Sequence, residues 1–274
     1  MKFTVLISVY KNDDSVHFDK ALRSVTIDQT LRPDEVVLVV DGPVTDDINK
    51  VIDQWQSQIS IPFIVIRSVD NIGLSNALNL GIKHCKFDYI ARMDSDDISL
   101  PYRFEKQLLF LNANSEVSLL GGWYKQYDKD MEYCLTERKV PVSFDEIKLF
   151  AMTRTPFNHV TAVFKKQSLV DIGGYPEIMG YMEDWLVALC LINKGFKIKN
   201  IPEYLVHVRG GTDFLDRRGG IAYARLEIKN LSKMHRLKLI GTRHFLLNLI
   251  IRISVRITPL FLRAYVYKMI RKVG

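Results

Sequence analysis

At 274 residues, with 47% hydrophobic and 25% charged residues, the chain has the make-up of an ordinary globular protein, long enough for one large domain plus an appendage. Its net charge of +7 would suggest nucleic acid, but residues 225–274 carry twelve Lys/Arg against one acid, Glu227, for +11, whereas residues 1–224 carry 26 Lys/Arg against 30 Asp/Glu, for −4. The basicity belongs to the tail, so no nucleic-acid partner is expected, and the odd cysteine count (Cys85, Cys134, Cys190), without metal or redox spacing, argues against a disulfide framework and fits a reducing cytosol.

In chain order, Phe3–Tyr10 is an apolar run of strand length without a small-residue cleavage site, which predicts a first buried strand rather than a signal peptide. A helix carrying Val16, Leu22, Val25 and Ile27 follows. Glu35–Val40 is a continuous apolar strand of the doubly buried kind and ends at Asp41-Gly42-Pro43. A helix over Asp46–Gln56, a strand Phe63–Arg67, the turn Asp70-Asn71-Ile72-Gly73 and a helix Leu74–His84 come next. The strand from Tyr89 then runs into Asp94-Ser95-Asp96-Asp97, and Ser99 and Pro101 open what reads as a helix.

Strand-helix repetition of this kind builds a parallel sheet with right-handed crossovers, and ligands of such sheets sit at the carboxyl ends of the strands. Polar residues stand at those ends: Ser8, Asp41, Asp70 with Asn71, and Asp94 with Asp96. Aspartates there are also turn formers and helix caps. Carboxylates are, however, hard oxygen ligands for Mg2+ or Mn2+, and Asp-x-Asp at a strand end can aim two of them at one ion that also holds a diphosphate. Neither the dinucleotide fingerprint nor the P-loop occurs.

Further on, Val117–Tyr124 reads as a strand and Lys125–Val140 as a hairpin or loop. Asn158-His159 precedes an apolar strand reaching Phe164; His159 is either a ligand contact or a structural hydrogen-bonding histidine. After the turn Gly173-Gly174-Tyr175, Glu183-Asp184-Trp185 begins a helix closed by Asn193-Lys194-Gly195. Two acids in a first turn either complement the helix dipole or serve chemistry. Strand Tyr204–Val208 leads into a glycine-rich loop with Arg209, Arg217 and Arg218, which either folds over a bound phosphate group or is solvated; His207 reads as a packing residue. In the tail, His244, Asn248, Arg252 and Arg256 recur every fourth position among apolar residues, Pro259 interrupts, and Arg263, Tyr267 and Arg271 resume the spacing. The charge-free run His244–Ile251 falls far short of the ~20 residues that span a bilayer, so the helix is expected in the membrane interface, its cations beside anionic headgroups. The alternatives are packing on the catalytic domain or a homodimer interface.

Ser8-Val9-Tyr10, Val40-Asp41-Gly42, Asn71-Ile72-Gly73-Leu74-Ser75-Asn76-Ala77-Leu78-Asn79, Arg92-Met93-Asp94-Ser95-Asp96-Asp97 and Glu183-Asp184-Trp185 together resemble, in order and spacing, the family 2 glycosyltransferases with a GT-A fold, above all bacterial enzymes of O-antigen and exopolysaccharide assembly. The resemblance covers roughly residues 1–225. It implies an α/β GT-A domain with a mainly parallel central sheet, a nucleotide-sugar half (1–100) and an acceptor half (101–225), followed by a basic amphipathic helical tail (226–274). It further implies an inverting, metal-dependent transfer of one hexose, galactose or glucose, from a UDP-sugar to a saccharide on a lipid diphosphate of the undecaprenyl type, at the inner face of the cell membrane. Ser8, Tyr10 and Arg92 would line the donor site, Asp41 bind the uracil, and Asp70 and Asn71 shape the base pocket. Asp94 would approach ribose and metal, and Asp96 would be the principal ligand of Mn2+ or Mg2+, with Asp97 a supporting group or a helix cap. Arg209, Arg217 and Arg218 would serve the phosphates. Asp184 would be the base and Glu183 its orienting neighbour, with a swap of the two open, and Asn158, His159 and Trp185 would lie on the acceptor side. The Gln-x-x-Arg-Trp motif of processive relatives is absent, which implies single-sugar transfer. The competing reading is a catalytically silent member of the fold that binds nucleotide sugar or scaffolds a membrane assembly. A sugar-phosphate nucleotidyltransferase would be expected to carry a glycine-rich basic loop near the first strand, which Tyr10–Ser15 is not.

Overall fold

The computed structural model describes residues 1–177, 180–210 and 220–257. Strands β1 (Phe3–Val9), β2 (Glu35–Val40), β3 (Phe63–Arg67) and β4 (Tyr89–Met93) pair in parallel in the order β3-β2-β1-β4. β2 is apolar along nearly its whole length because it is buried on both faces. The register sets Val9 beside Val40 and Val40 beside Arg67, and Ile7 beside Met93. The strands therefore finish close to level, and the residues that follow them emerge along one edge.

Helices α1 (Ser15–Val25), α2 (Asp46–Gln58) and α3 (Leu74–His84) form the crossovers. Asp14 caps α1 by accepting from the amides of Val16 and His17. Its core face is Phe18, Ala21, Leu22 and Val25, while Val16 and Ile27, expected on that face, are exposed. Val16 precedes Phe18 by two residues, about 200° around a helix, and Ile27 lies beyond the last turn.

Beyond β4 the sheet becomes mixed: β8 (Val163–Lys165) pairs antiparallel with β4, and the order continues through β6 (Val117–Tyr127) and β9 (Lys197–Arg209) to the short β5 (Ile98–Ser99). β7 (Cys134–Arg138) folds back on β6, so the Lys125–Val140 region is a hairpin. Helices α4 (Arg103–Ala113), α5 (Phe144–Ala151), α6 (Lys166–Asp171) and α7 (Glu183–Asn193) complete the layers. The helix expected directly after the aspartates starts only at Arg103, because Ile98 and Ser99 pair with His207 and Val206 of β9. His207 packs its ring on Tyr127, in line with its reading as a packing residue. The strand expected at 160–164 begins as a 3-10 turn, His159–Thr161, held by the Thr161 hydroxyl donating to the Asn158 carbonyl at 2.8 Å.

The C-terminal helices α8 (Ile221–Arg236) and α9 (Thr242–Ile257) pack against α5 and α7 through a cluster containing Ala151, Met182, Trp185, Leu186, Leu231 and Met234. The division expected between 225 and 226 thus falls inside α8. The orientation of α9 corrects the expectation for its polar stripe. Its polar stripe faces the protein, not headgroups: Asn248 donates to the Met152 carbonyl at 2.9 Å, and Arg252 and Arg256 both pair with Glu227 of α8. The reason is electrostatic, since Glu227 is fully buried and needs cationic partners. Turning the stripe inward leaves Leu246, Leu247, Ile250 and Ile251 on the outside, 43–67% exposed. Among the described residues no helix is long and apolar enough to cross a membrane. Pro259, Arg263, Tyr267 and Arg271 lie outside the described residues.

Candidate functional site

At the β2 end, Asp41 is buried and spends its carboxylate on the following loop, accepting from the amides of Ile72 at 2.7 Å and Gly73 at 3.0 Å. Asn71 returns a hydrogen bond to the Asp41 carbonyl. Gly42 has φ +82°, and a Cβ there would stand 2.7 Å from the Asn71 amide, so only glycine lets the two loops close. Asp41 is therefore first a rigid clamp for the edge of this crevice. Asp70 and Asn71 are exposed there, Tyr10 is exposed at the β1 end, and Ser8 is half-buried beside it.

The β4 end carries the densest charge. The buried Arg92 grips Asp94 with both terminal nitrogens, one at 2.7 Å. Asp97 is buried and accepts from the Arg209 amide at 2.7 Å, while the Arg209 Nε donates to the Asp96 carbonyl at 3.0 Å. Arg209 thereby ties β9 across the aspartate turn, and Asp97 is a supporting group behind it. The Asp96 carboxylate, by contrast, takes no hydrogen bond from another residue's side chain among the described residues. Burial first, then Asp94 and Asp13, push its carboxyl up to about 6, and burial, then Asp94 and Asp96, raise Asp97 well above the ordinary range. Beneath them lies Arg103, fully buried, bonded to the Arg92 carbonyl at 2.8 Å, and lowered to about 9 by burial and by Arg92.

This donor set suits a hard divalent cation: Asp96 is disengaged and charged repulsively by its neighbours, and Asp94 lies beside it. No group of three or more ligating side chains occurs among the described residues. A cation held by Asp96 and Asp94 would complete its shell with oxygens of a diphosphate and water, as Mg2+-type sites do.

A cavity of about 510 Å3 opens from Arg92, Asp94 and Asp97 to Glu183 and Asp184 at the start of α7. Asp184 uses one oxygen on the Trp185 amide at 2.7 Å. Glu183 is nearly buried, and its carboxyl is pushed up to about 7, first by burial and then by Asp184. Met182, in front of it, holds φ +86°, a left-handed conformation costly for a non-glycine residue. His159 Nε2 bonds the Tyr175 hydroxyl at 2.8 Å, and burial holds the ring neutral by lowering its pKa well below the ordinary value. Asn158 is buried and donates to the Gly122 carbonyl at 2.7 Å; Trp185 is buried, with its indole N–H on the Ala151 carbonyl. These three line the cavity, but as its scaffold.

The structure thus brings Arg92, Asp94, Asp96 and Arg209 to one end of a crevice and Glu183 and Asp184 to the other. Arg217 and Arg218 lie outside the described residues. Several wall residues were not singled out from sequence. Asp13 accepts from Ser95 Oγ at 2.8 Å and faces Asp96; a paired Asp13-Asp14 directly after the first strand was the available signal. Arg138 and Arg154 also line the cavity, together with Arg252 and Arg256, which the sequence singled out only as part of a stripe expected at the membrane. Glu227, the lone acid of the basic tail, marked the inward face of α9.

Residues 4–173 match the model of glycosyl transferase family 2. The chain is 35% identical to the amylovoran biosynthesis glycosyltransferase AmsE of Erwinia amylovora, over 98% of this chain and 99% of that protein. It is 37% identical to the UDP-Gal:alpha-D-GlcNAc-diphosphoundecaprenol beta-1,3-galactosyltransferase of Escherichia coli, over 97% and 95%. Among solved structures, the mannosyltransferase PcManGT of Pyrobaculum calidifontis, in complex with GDP-Man and Mn2+, superposes with a TM-score of 0.65 at 17% identity over 86% of this chain and 64% of that one. TarS 1–349 of S. aureus with UDP-GlcNAc superposes with a TM-score of 0.62 at 17% identity, over 85% and 66%. At such identity these two show the fold alone.

Proposed function

The chain belongs to glycosyl transferase family 2 and is a glycosyltransferase, and from that premise we propose that it moves a single hexose, galactose or glucose, from a UDP-sugar to a saccharide on a lipid diphosphate of the undecaprenyl type, with inversion and with a divalent cation. The observation that carries this reading is the single cavity joining the aspartates of β4 to the carboxylates of α7. Donor and acceptor have their own ends of one space, which is what a displacement between them requires.

Asp41, Asp70 and Asn71 border the base, with Ser8, Tyr10 and Arg92 completing the donor wall. Arg209, with Arg217 and Arg218, serves the phosphates. Asp96 and Asp94 hold Mn2+ or Mg2+, which when bound offsets the negative charge that develops on the departing diphosphate. Asp184 takes the proton of the acceptor hydroxyl as that oxygen bonds the anomeric carbon from the face opposite the diphosphate; the bond to UDP breaks and the configuration inverts. Glu183 stands beside Asp184 and sets its charge environment. The relative that takes UDP-Gal and a diphosphoundecaprenol acceptor supports the donor and acceptor classes. The apolar outer face of α9 supports peripheral attachment at the inner face of the membrane, where such an acceptor resides. On this reading residues 1–100 are the donor half, 101–225 the acceptor half, and the segment from 226 the attachment region.

The test is UDP release from UDP-Gal and UDP-Glc, with and without Mn2+, using a GlcNAc-diphospho-polyprenol acceptor. Acceptor-dependent, Mn2+-dependent release with a new β-linkage is expected. Release that persists undiminished in excess chelator, or a retained α-linkage, overturns the reading.

A further inference from the structure

The same cavity is also walled by guanidiniums from three separate elements: Arg138 at the end of β7, Arg154 just after α5, and Arg252 of α9, the last lying over the Trp185 ring next to Asp184. They form a basic group distinct from the one at the aspartates. The cations acting on Asp94, Asp96 and Asp97 are Arg92, Arg103 and Arg209, whereas those acting on Arg154 are Arg138 and Arg252. The second group is short of counter-charge. Arg252 donates to Glu227, but that carboxylate also holds Arg256, so two guanidiniums share one acid. Arg138 and Arg154 have no carboxylate within ion-pair distance among the described residues; Arg154 rests instead on the Phe150 ring, 4.9 Å away.

One of these cations is preset rather than floppy. Arg252 is fixed by Glu227 at 3.0 Å, by the Thr153 carbonyl at 3.1 Å and by the Trp185 ring at 4.6 Å. Like charges gathered in one wall, Arg138 and Arg252 partly buried and Arg154 exposed, raise the energy of the empty site and lower that of an anion bound between them. Burial and the facing arginines hold Arg154 below its usual value, the sign expected when no anion is present. Location identifies the anion. An inverting displacement brings the acceptor from the side away from the donor diphosphate, so a basic group apart from the aspartates and next to the start of α7 is set to meet the acceptor. The helix that supplies Arg252 to this wall turns Leu246, Leu247, Ile250 and Ile251 outward. Phosphate recognition and an apolar surface for a lipid chain therefore lie on opposite faces of one helix.

We propose that Arg138, Arg154 and Arg252 form the binding site for the diphosphate of a lipid-diphosphate acceptor. The assignment rests on the acceptor class proposed above and adds the residues that read it. The same chemistry would take the phosphate of a bilayer headgroup, so the test carries both sources. The full chain, saturated with UDP and Mn2+ to fill the donor side, is titrated with farnesyl diphosphate below its micellar range and, separately, with phosphatidylglycerol vesicles. Arg154→Ala and Arg138→Ala are compared with the unaltered chain, since neither side chain holds a buried partner; unfolding temperature and UDP affinity verify that both remain folded.

Farnesyl diphosphate binding that weakens at least about tenfold in each variant, with UDP affinity and vesicle binding unchanged, is the expected result. Three results overturn the proposal: no binding of farnesyl diphosphate by the unaltered chain, binding indifferent to both substitutions, or a loss confined to the vesicles. Failure to bind UDP would instead strike the proposed donor, and the farnesyl diphosphate titration without UDP would still decide the arginine site.

Discussion

Asp96 and Glu183 show how differently two partly buried carboxylates are used. The Asp96 carboxylate has no side-chain partner from another residue among those described and is raised by burial and its neighbours, a state that a cation relieves; Asp96→Ala is expected to lower transfer at least about a hundredfold and abolish the response to added Mn2+, measured as UDP release. Glu183, pushed up to about 7 by burial and by Asp184, is protonated below that pH and ionised above it. Ionised Glu183 makes its neighbour a stronger base, so the rate should climb as pH rises through about 7, and Glu183→Gln should flatten that limb while Asp184→Asn removes activity at every pH. The sign for stability is the opposite. A folded carboxyl that holds its proton more tightly than the unfolded chain loses stability as pH rises from the ordinary glutamate range to about 7. Thermal unfolding should therefore show the unaltered chain losing more stability over that interval than Glu183→Gln. The residues of this paragraph were legible as motifs, whereas the elevation of Glu183 was not, because it depends on packing that no local pattern encodes.

Helix α9 is the element for which periodicity was most informative and most misleading. Spacing every fourth residue correctly places His244, Asn248, Arg252 and Arg256 on one face. It cannot say whether that face meets solvent, lipid or protein. The answer comes from Glu227, 25 residues before Arg252 and fully buried between two guanidiniums. Removing one partner of such a cluster strands the others, so Glu227→Ala is expected to cost about 3–5 kcal/mol in urea unfolding, and Glu227→Gln less. Similarly, β5 reads as the start of a helix because Ser99 and Pro101 are helix-opening residues, but pairing with β9 overrides that local preference.

At the scale of the whole molecule, two halves of unlike topology share one sheet. The parallel half, β3-β2-β1-β4, ends its strands close to level and presents the edge proposed for the donor; the mixed half, through β8, β6 and β9, carries the wall proposed for the acceptor, and α8 and α9 pack on its helices α5 and α7. The C-terminal helices thus complete the cavity as well as offering an apolar surface. With Leu246→Asp and Ile250→Asp, both exposed, co-flotation with anionic liposomes should fall at least about tenfold while the unfolding temperature holds. If sedimentation shows instead that a dimer is lost and flotation persists, that face is a subunit contact.

The sequence by itself determined the alternation of strands and helices, the edge on which polar residues gather, and the identity of the aspartates there, because these follow from chain-local periodicity and from residue chemistry at strand ends. Only the tertiary structure decided how charge is shared: Arg92 on Asp94, Arg209 across Asp97, Glu227 between Arg252 and Arg256, and Arg138 beside Arg154. Those pairings join residues up to more than a hundred positions apart. Their energies depend on distance and burial, which a linear pattern does not contain.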